Sequence, residues 1–300
     1  MTSTAFFLML ASVFLHAGWN FLSKAKRPSA AFFMLASMTS VIFLAPFAYC
    51  ARALLAEMPA RFWLLLLASG GFEVLYMYGL FRAYQRSGIS LVYPMARALP
   101  VLLTAAVVLA FGLGAAPGPL ALAGMGVVAA GCLLLPLESF AGLRPRTYLT
   151  PAFLMVLLAA AGTTGYTVVD SLAMPHLLAG GAHSPLLCAG AYLFLVESLL
   201  VLGLAACVAA DAGERAEFRR LFLRSPHPSL SGLSASTAYI LILLAMGFVA
   251  NVSYIQAFRQ MSLPLGVFAG IVFLKESRPP AKLAGVALVV AGLVLVALGR

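Results

Sequence analysis

Ten apolar runs separated by short polar turns divide the chain from end to end. A helix needs about 20 apolar residues to cross a bilayer, and that requirement places the runs at roughly 4–23, 30–52, 61–84, 88–112, 118–137, 149–172, 185–209, 231–249, 252–275 and 281–299. They cannot be folded away in a water-soluble domain. With 63% hydrophobic and only 9% charged residues in 300, the chain lacks the polar surface to cover a globule. Continuous runs of 18 or more residues, rather than alternating segments of about ten, argue for helices over an outer-membrane barrel. The expected class is an all-α integral membrane protein with ten transmembrane helices.

The turns are rich in Pro, Gly or charge: Lys24-Ala25-Lys26-Arg27-Pro28, Pro117-Gly118-Pro119, Arg144-Pro145-Arg146 and Lys275-Glu276-Ser277-Arg278-Pro279-Pro280. The longest polar connection, Asp211 to Ser229, reads as a solvated loop with room for a short surface helix. A formal charge of +10 raises the question of nucleic acid, but the basic residues sit singly or in short clusters between apolar runs. That spacing suits loops beside an anionic leaflet and no nucleic-acid partner. Lys24, Lys26, Arg27, Arg82, Arg86, Arg144, Arg146, Arg215, Arg219, Arg220, Arg224, Lys275, Arg278 and Lys282 fall in alternate loops, whereas the others hold only Arg52 and Arg61. The bias predicts a cytoplasmic location for the first set, with both termini outside. Met1 to Thr4 carry no basic residue, so the first run reads as a helix rather than a cleaved signal. Cys50, Cys132, Cys188 and Cys207 form no CxxC and no metal spacing, and read as inert core residues.

Ionisable residues within the apolar runs are costly in hydrocarbon and mark a polar cavity or a paired site. Glu73 lies in the third run and Arg97 in the fourth; Asp170, Glu197 and Arg259 follow in the sixth, seventh and ninth. The stretch from Phe72 to Leu113 therefore carries the densest information. Its pattern of a serine and an aromatic leading into a buried arginine, Ser90 to Arg97, recurs from Ser253 to Arg259.

That recurrence belongs to a longer duplication. Leu122-Ala123-Gly124 is followed seven residues on by Gly131, and Leu283-Ala284-Gly285 seven residues on by Gly292. His16 and Asn20 fall opposite Tyr166 and Asp170 at a constant offset. Two five-helix halves result, 1–140 and 147–300. Because five is odd, the second enters the membrane in the opposite sense, an inverted repeat typical of secondary transporters with a midplane site.

The run Leu15-His16-Ala17-Gly18-Trp19-Asn20, the Ser90-Leu91-Val92-Tyr93-Pro94 start of helix four, the Phe273-Leu274-Lys275-Glu276 close of helix nine and the Gly-spaced helix ten resemble an EamA-type member of the drug/metabolite transporter superfamily. The likeness covers nearly the whole chain, and the order of the motifs is more specific than any one of them. It departs at Phe111-Gly112-Leu113-Gly114, where a Gly-Glu or Lys-Glu pair is common, so any role of Glu276 need have no first-half counterpart. The resemblance implies a multi-pass carrier of the bacterial inner membrane. It also implies a central cavity lined mainly by helices one, three, four, six, eight and nine, and export or import of amino acids, other small metabolites or drugs.

Candidate substrate contacts follow from spacing. His16, Trp19 and Asn20 share one face of helix one, with Ser12 and Ser23 extending it. Thr163, Tyr166, Thr167 and Asp170 form the corresponding face of helix six, and Glu73 and Tyr76 that of helix three. Either face could instead hold the bundle together by interhelical hydrogen bonds. Glu73 and Asp170 are candidates for an amine contact or for proton coupling, the alternative being a static ion pair with Arg97 or Arg259. The two arginines offer planar forks for a carboxylate or phosphonate, with Tyr93, Tyr254, Gln256 and Gln260 within about a turn. Glu197 ranks lower, as a residue paired within the bundle. Glycines 124, 126, 131, 285 and 292 predict close helix packing, within one chain or between two copies, so a monomer and a homodimer both remain open. No P-loop, nucleophile elbow or zinc spacing is present, which disfavours an ATP-driven pump, a membrane enzyme, and any metal or cofactor. The expectation is a secondary active carrier of an amino acid or other small zwitterionic or anionic solute, an exporter driven by protons or exchange. A flippase for a lipid-linked sugar and a multidrug or cation exporter are the alternatives.

Overall fold

The computed structural model describes all residues but 1, 25–28, 88, 180, 182, 223, 274, 276 and 300, together with all side chains there except those of 17–24, 89, 90, 269 and 273. Glu276 and most of the first turn therefore lie outside the described residues. Fourteen α-helices and no strand are found among those described. In order they are α1 (Ser3–Lys24), α2 (Ala30–Cys50), α3 (Arg52–Ala56), α4 (Ala60–Arg86), α5 (Ile89–Phe111), α6 (Pro119–Leu134), α7 (Pro145–Tyr148), α8 (Phe153–Leu178), α9 (Pro185–Ala210), α10 (Ala212–Phe222), α11 (His227–Met246), α12 (Val252–Phe258), α13 (Ser262–Phe273) and α14 (Pro280–Leu298). Seven of these, α2, α4, α5, α8, α9, α11 and α14, are long and apolar enough to cross a membrane. The stretch Ser3–His16 of α1 and the whole of α6 are shorter apolar helices. The chain is thus an α-helical membrane protein. Its outer surface agrees, since Phe7, Ile42, Leu64, Phe111, Leu202, Phe268 and Leu298 are exposed, an arrangement that water penalises and lipid favours.

Capping residues fix several helix starts. Ser29 accepts a hydrogen bond from the Phe32 amide and Ser184 from the Leu187 amide, each 3.1 Å, satisfying an amide without an intrahelical partner. Asp211 does the same for α10, the surface helix in the long polar connection, through the amides of Gly213 and Glu214. Helix α10 is no passenger. Its buried Glu214 accepts from the Ala31 amide at the start of α2 (2.9 Å) and from Gln85 Nε2 near the end of α4 (3.5 Å).

The ninth apolar run is not one helix. It breaks between α12 and α13 into a 3-10 turn at Arg259–Met261. Pro264 accounts for the break, because it has no N–H for the Gln260 carbonyl and its ring crowds that carbonyl. Helix α5 stays continuous despite Pro94 and Pro100.

The closest helix pairings are α4 with α8, α6 with α14, α2 with α9 and α1 with α11, and each joins the first half of the chain to the second. Small residues permit the approach. A Cβ placed on Gly124 of α6 would lie 2.7 Å from the Gly292 carbonyl oxygen of α14, and one on Gly131 would lie 2.8 Å from the Gly285 carbonyl oxygen. The reverse substitutions meet the same glycines, at 2.7 Å for Gly292 against Gly124 and 2.8 Å for Gly285 against Gly131. Backbone meets backbone along this seam, as expected where small residues drive association in lipid. Gly126 has nothing within 4 Å of its would-be Cβ, so its glycine serves no contact within the chain. Accordingly, Gly124→Val or Gly131→Val should lower the melting temperature of the detergent-purified protein by several degrees, from overpacking of about 1–3 kcal/mol. Gly126→Val should leave it unchanged, and equal losses at all three positions would refute the seam.

Candidate functional site

The middle of the bundle is polar, and its centre is Asp170 of α8, whose side chain is fully buried. Three hydroxyls from three other helices donate to it: Ser69 of α4 and Tyr192 of α9 to Oδ1, the latter at 2.7 Å, and Tyr239 of α11 to Oδ2. A buried carboxylate needs such donors. Asp170 is therefore a four-helix junction, and its lone pairs are directed at protein rather than at open space.

Beside it runs a row of aromatic rings. The Tyr166 centroid lies 5.8 Å from that of Tyr76 and 5.8 Å from that of Tyr239. The Arg259 guanidinium lies 5.8 Å from the Tyr166 and Tyr239 centroids, a cation–π arrangement. Its Nη2 donates to Tyr166 Oη (3.1 Å) and its Nη1 to Gln256 Oε1 (3.4 Å). Arg97 of α5 sits 5.7 Å from the Tyr93 ring, and its Nη2 donates to the Arg259 carbonyl (3.2 Å) and to Ser262 Oγ (2.7 Å). His16 of α1 is close enough to both guanidiniums to feel their charge.

Most of the residues singled out by sequence thus come together: His16, Tyr76, Tyr93, Arg97, Tyr166, Asp170, Gln256 and Arg259. Tyr254 does not join them. Five residues from Arg259, it faces a different side of the helix; it is buried in an apolar cluster and donates to the Gly299 carbonyl at 3.3 Å. Trp19 and Asn20 lie on α1, and their side chains are outside those described. The static ion pair of Glu73 or Asp170 with an arginine is not formed: among the described residues, no carboxylate stands within salt-bridge distance of Arg97 or Arg259. Both arginines are 6% exposed, and the Nε of each lacks a hydrogen-bond partner, as does Gln256 Nε2. Glu73 lies near Glu197, Asp170 and Arg259, and its Oε2, like that of Glu197, is buried without a hydrogen-bond partner. Sequence spacing did not find Ser69, Tyr192, Tyr239 or Ser262. The need of a buried tyrosine hydroxyl for a partner was the available signal for Tyr192.

No family model and no curated protein matches the chain. Solved structures do: 29 chains match, among them one described only as "Crystal structure of protein", at 17% sequence identity and a TM-score of 0.67 over 99% of this chain and 99% of that one. At that identity the likeness speaks for the fold alone, and it extends over the whole chain.

The junction and the unpartnered acid should respond differently to substitution. Asp170→Ala orphans three buried hydroxyls at about 1–3 kcal/mol each, so its melting temperature should fall far below wild type. Glu73→Gln removes no partnered oxygen at Oε2 and should fall by much less. Comparable losses in the two variants, measured by thermal unfolding in detergent, would rule out the junction.

Proposed function

We propose that the chain is an EamA-type secondary carrier of ten transmembrane helices. It moves a small anionic or zwitterionic solute across a bacterial inner membrane by alternating access, as an exporter coupled to protons or exchange. One observation carries the reading: two nearly buried arginines lie where the two halves of an apolar bundle meet, each with an unused N–H and, among the described residues, with no carboxylate within salt-bridge distance. Placing a cation in such surroundings without a counter-charge is costly. A ligand bearing a carboxylate or phosphonate supplies the missing charge and acceptors.

The inverted repeat is supported by the pairing of the helices. Let each helix of the first half exchange with its counterpart: α1 with α8, α2 with α9, α4 with α11, α5 with the α12–α13 run, α6 with α14. The α4–α8 pairing then becomes α11–α1, while α2–α9 and α6–α14 map onto themselves, and all are observed. The glycine seam obeys the same exchange, with Gly124 meeting Gly292 and Gly131 meeting Gly285. A cavity between such halves is reached from either side as they rock.

The cation-exporter reading has one observation in its favour, the neighbouring Glu73 and Glu197 with their free oxygens. Thermal unfolding against amino acids, phosphonates, sugars, nucleosides and quaternary amines separates the two readings, since a ligand that binds the folded state raises the melting temperature. Stabilisation by carboxylate- or phosphonate-bearing solutes is expected. Arg259→Gln should weaken it tenfold or more in ligand concentration, from the loss of charged hydrogen bonds of about 1.5–3 kcal/mol. Stabilisation by quaternary amines alone, abolished by Glu73→Gln, would replace this reading with cation export.

A further inference from the structure

The proposed carrier site contains a feature that its occupancy alone does not explain. Arg97 does not wait in the cavity with its fork open. Its Nη2 is spent on the break in the ninth run, donating to the backbone carbonyl of Arg259 (3.2 Å) and to Ser262 Oγ (2.7 Å). Ser262 Oγ in turn donates to the same carbonyl at 3.0 Å, and the Ser262 amide reaches it too. The Arg259 carbonyl at the head of the 3-10 turn is therefore tied to α5 by a side chain 162 residues away. A 3-10 stretch inside a helix often marks a hinge; here the Arg97 guanidinium of α5 holds the turn's main-chain carbonyl, while the turn's own Arg259 side chain bonds Tyr166 of α8.

The unused part of Arg97 shows what would untie it. The edge of a guanidinium that binds a carboxylate side-on presents Nε–H and an Nη2–H together. On Arg97 the Nε is buried without a partner, while Nη2, with two hydrogens, already serves two acceptors. An anion taking that edge needs an Nη2 hydrogen now held by Arg259 or Ser262. An anion on this edge, as distinct from one on Nη1 alone, competes with closure of the break for one N–H.

We propose that Arg97 is a positioning residue that latches the break between α12 and α13, and that an anion on its Nε/Nη2 edge releases the latch and frees α12 and α13 to reorient. The proposal rests on the carrier reading for the identity of the anion, and on the hydrogen bonds alone for the latch. The first tie is to a main-chain carbonyl, so the Arg259 side chain is dispensable to it whereas Arg97 is not.

Hydrogen–deuterium exchange of the purified protein in lipid nanodiscs tests both halves, with peptides covering residues 258–266 as the readout and the melting temperature as the check on folding. Arg97→Gln should exchange there roughly tenfold faster than wild type, the effect of losing a charged hydrogen bond, with peptides of α6 and α14 unchanged. Arg259→Gln, which keeps the main-chain tie to Arg97 and loses only the bonds to Tyr166 and Gln256, should accelerate exchange at the break clearly less than Arg97→Gln. Ser262→Ala, a small change that leaves Arg97 in place, should give an intermediate rate. Sodium acetate or sodium methylphosphonate, against sodium chloride at matched ionic strength, should accelerate exchange at the break in wild type and leave Arg97→Gln unaffected.

Equal rates in wild type and Arg97→Gln, or equal acceleration in Arg97→Gln and Arg259→Gln, overturn the latch. Protection of the break by either anion, or no response to both, overturns the release. The carrier reading fails separately: a latch that behaves as described in a protein without saturable uptake of any solute sinks transport and keeps the latch. Saturable, Arg259-dependent uptake with an indifferent break does the reverse.

Discussion

A carboxylate in the middle of an apolar bundle must be given hydrogens or it unmakes the bundle, and Asp170 receives its three from α4, α9 and α11. That one group sets the relative depth of four helices. Once they are pinned, Tyr166, four residues before Asp170 on α8, and Tyr239, one of its donors, stand face to edge. The space left over is the one into which Arg259 reaches. The aromatic row and the guanidinium are thus held in place by an acid that is not itself open to a ligand.

The two positive charges are treated differently from the negative one. Asp170 is bonded by three neutral hydroxyls, whereas Arg97 and Arg259 are given carbonyl, hydroxyl and amide oxygens and each keep a buried Nε–H without a partner. Had either arginine been paired with Glu73 or Asp170, the charges would have cancelled at short range and left little to attract a solute.

Much of this was legible in the sequence. Helix positions followed from apolar length, because lipid admits few alternatives to a helix that satisfies its own backbone. The residues around the site followed from the cost of charge in hydrocarbon, which makes Glu73, Arg97, Asp170 and Arg259 conspicuous. What stayed hidden is what periodicity cannot carry. Ser69 and Tyr239 are ordinary residues until a partner on another helix is known, and Tyr254 looked like a site residue by its neighbourhood although five positions rotate it away from Arg259. The division of the ninth run was written in Pro264, but a proline inside an apolar run predicts a kink or an interruption without saying which. Pro94 and Pro100, inside an unbroken α5, make the same point.

The closest helix pairings all join early chain to late chain, and this bears on how the protein is made. As α1, α2, α4 and α6 leave the ribosome, the helices that complete them have not been synthesised. Ser69 has no carboxylate to bond, the Gly124 and Gly131 backbone faces lipid instead of α14, and the start of α2 lacks the glutamate that α10 brings. The first half thus enters the membrane with its polar and small-residue faces open, and those faces can meet the wrong surface until residue 298 has been inserted. For this chain, the interval between the first helix and the last is a period of exposure, which a slow ribosome lengthens and an insertion machinery that shelters helices shortens.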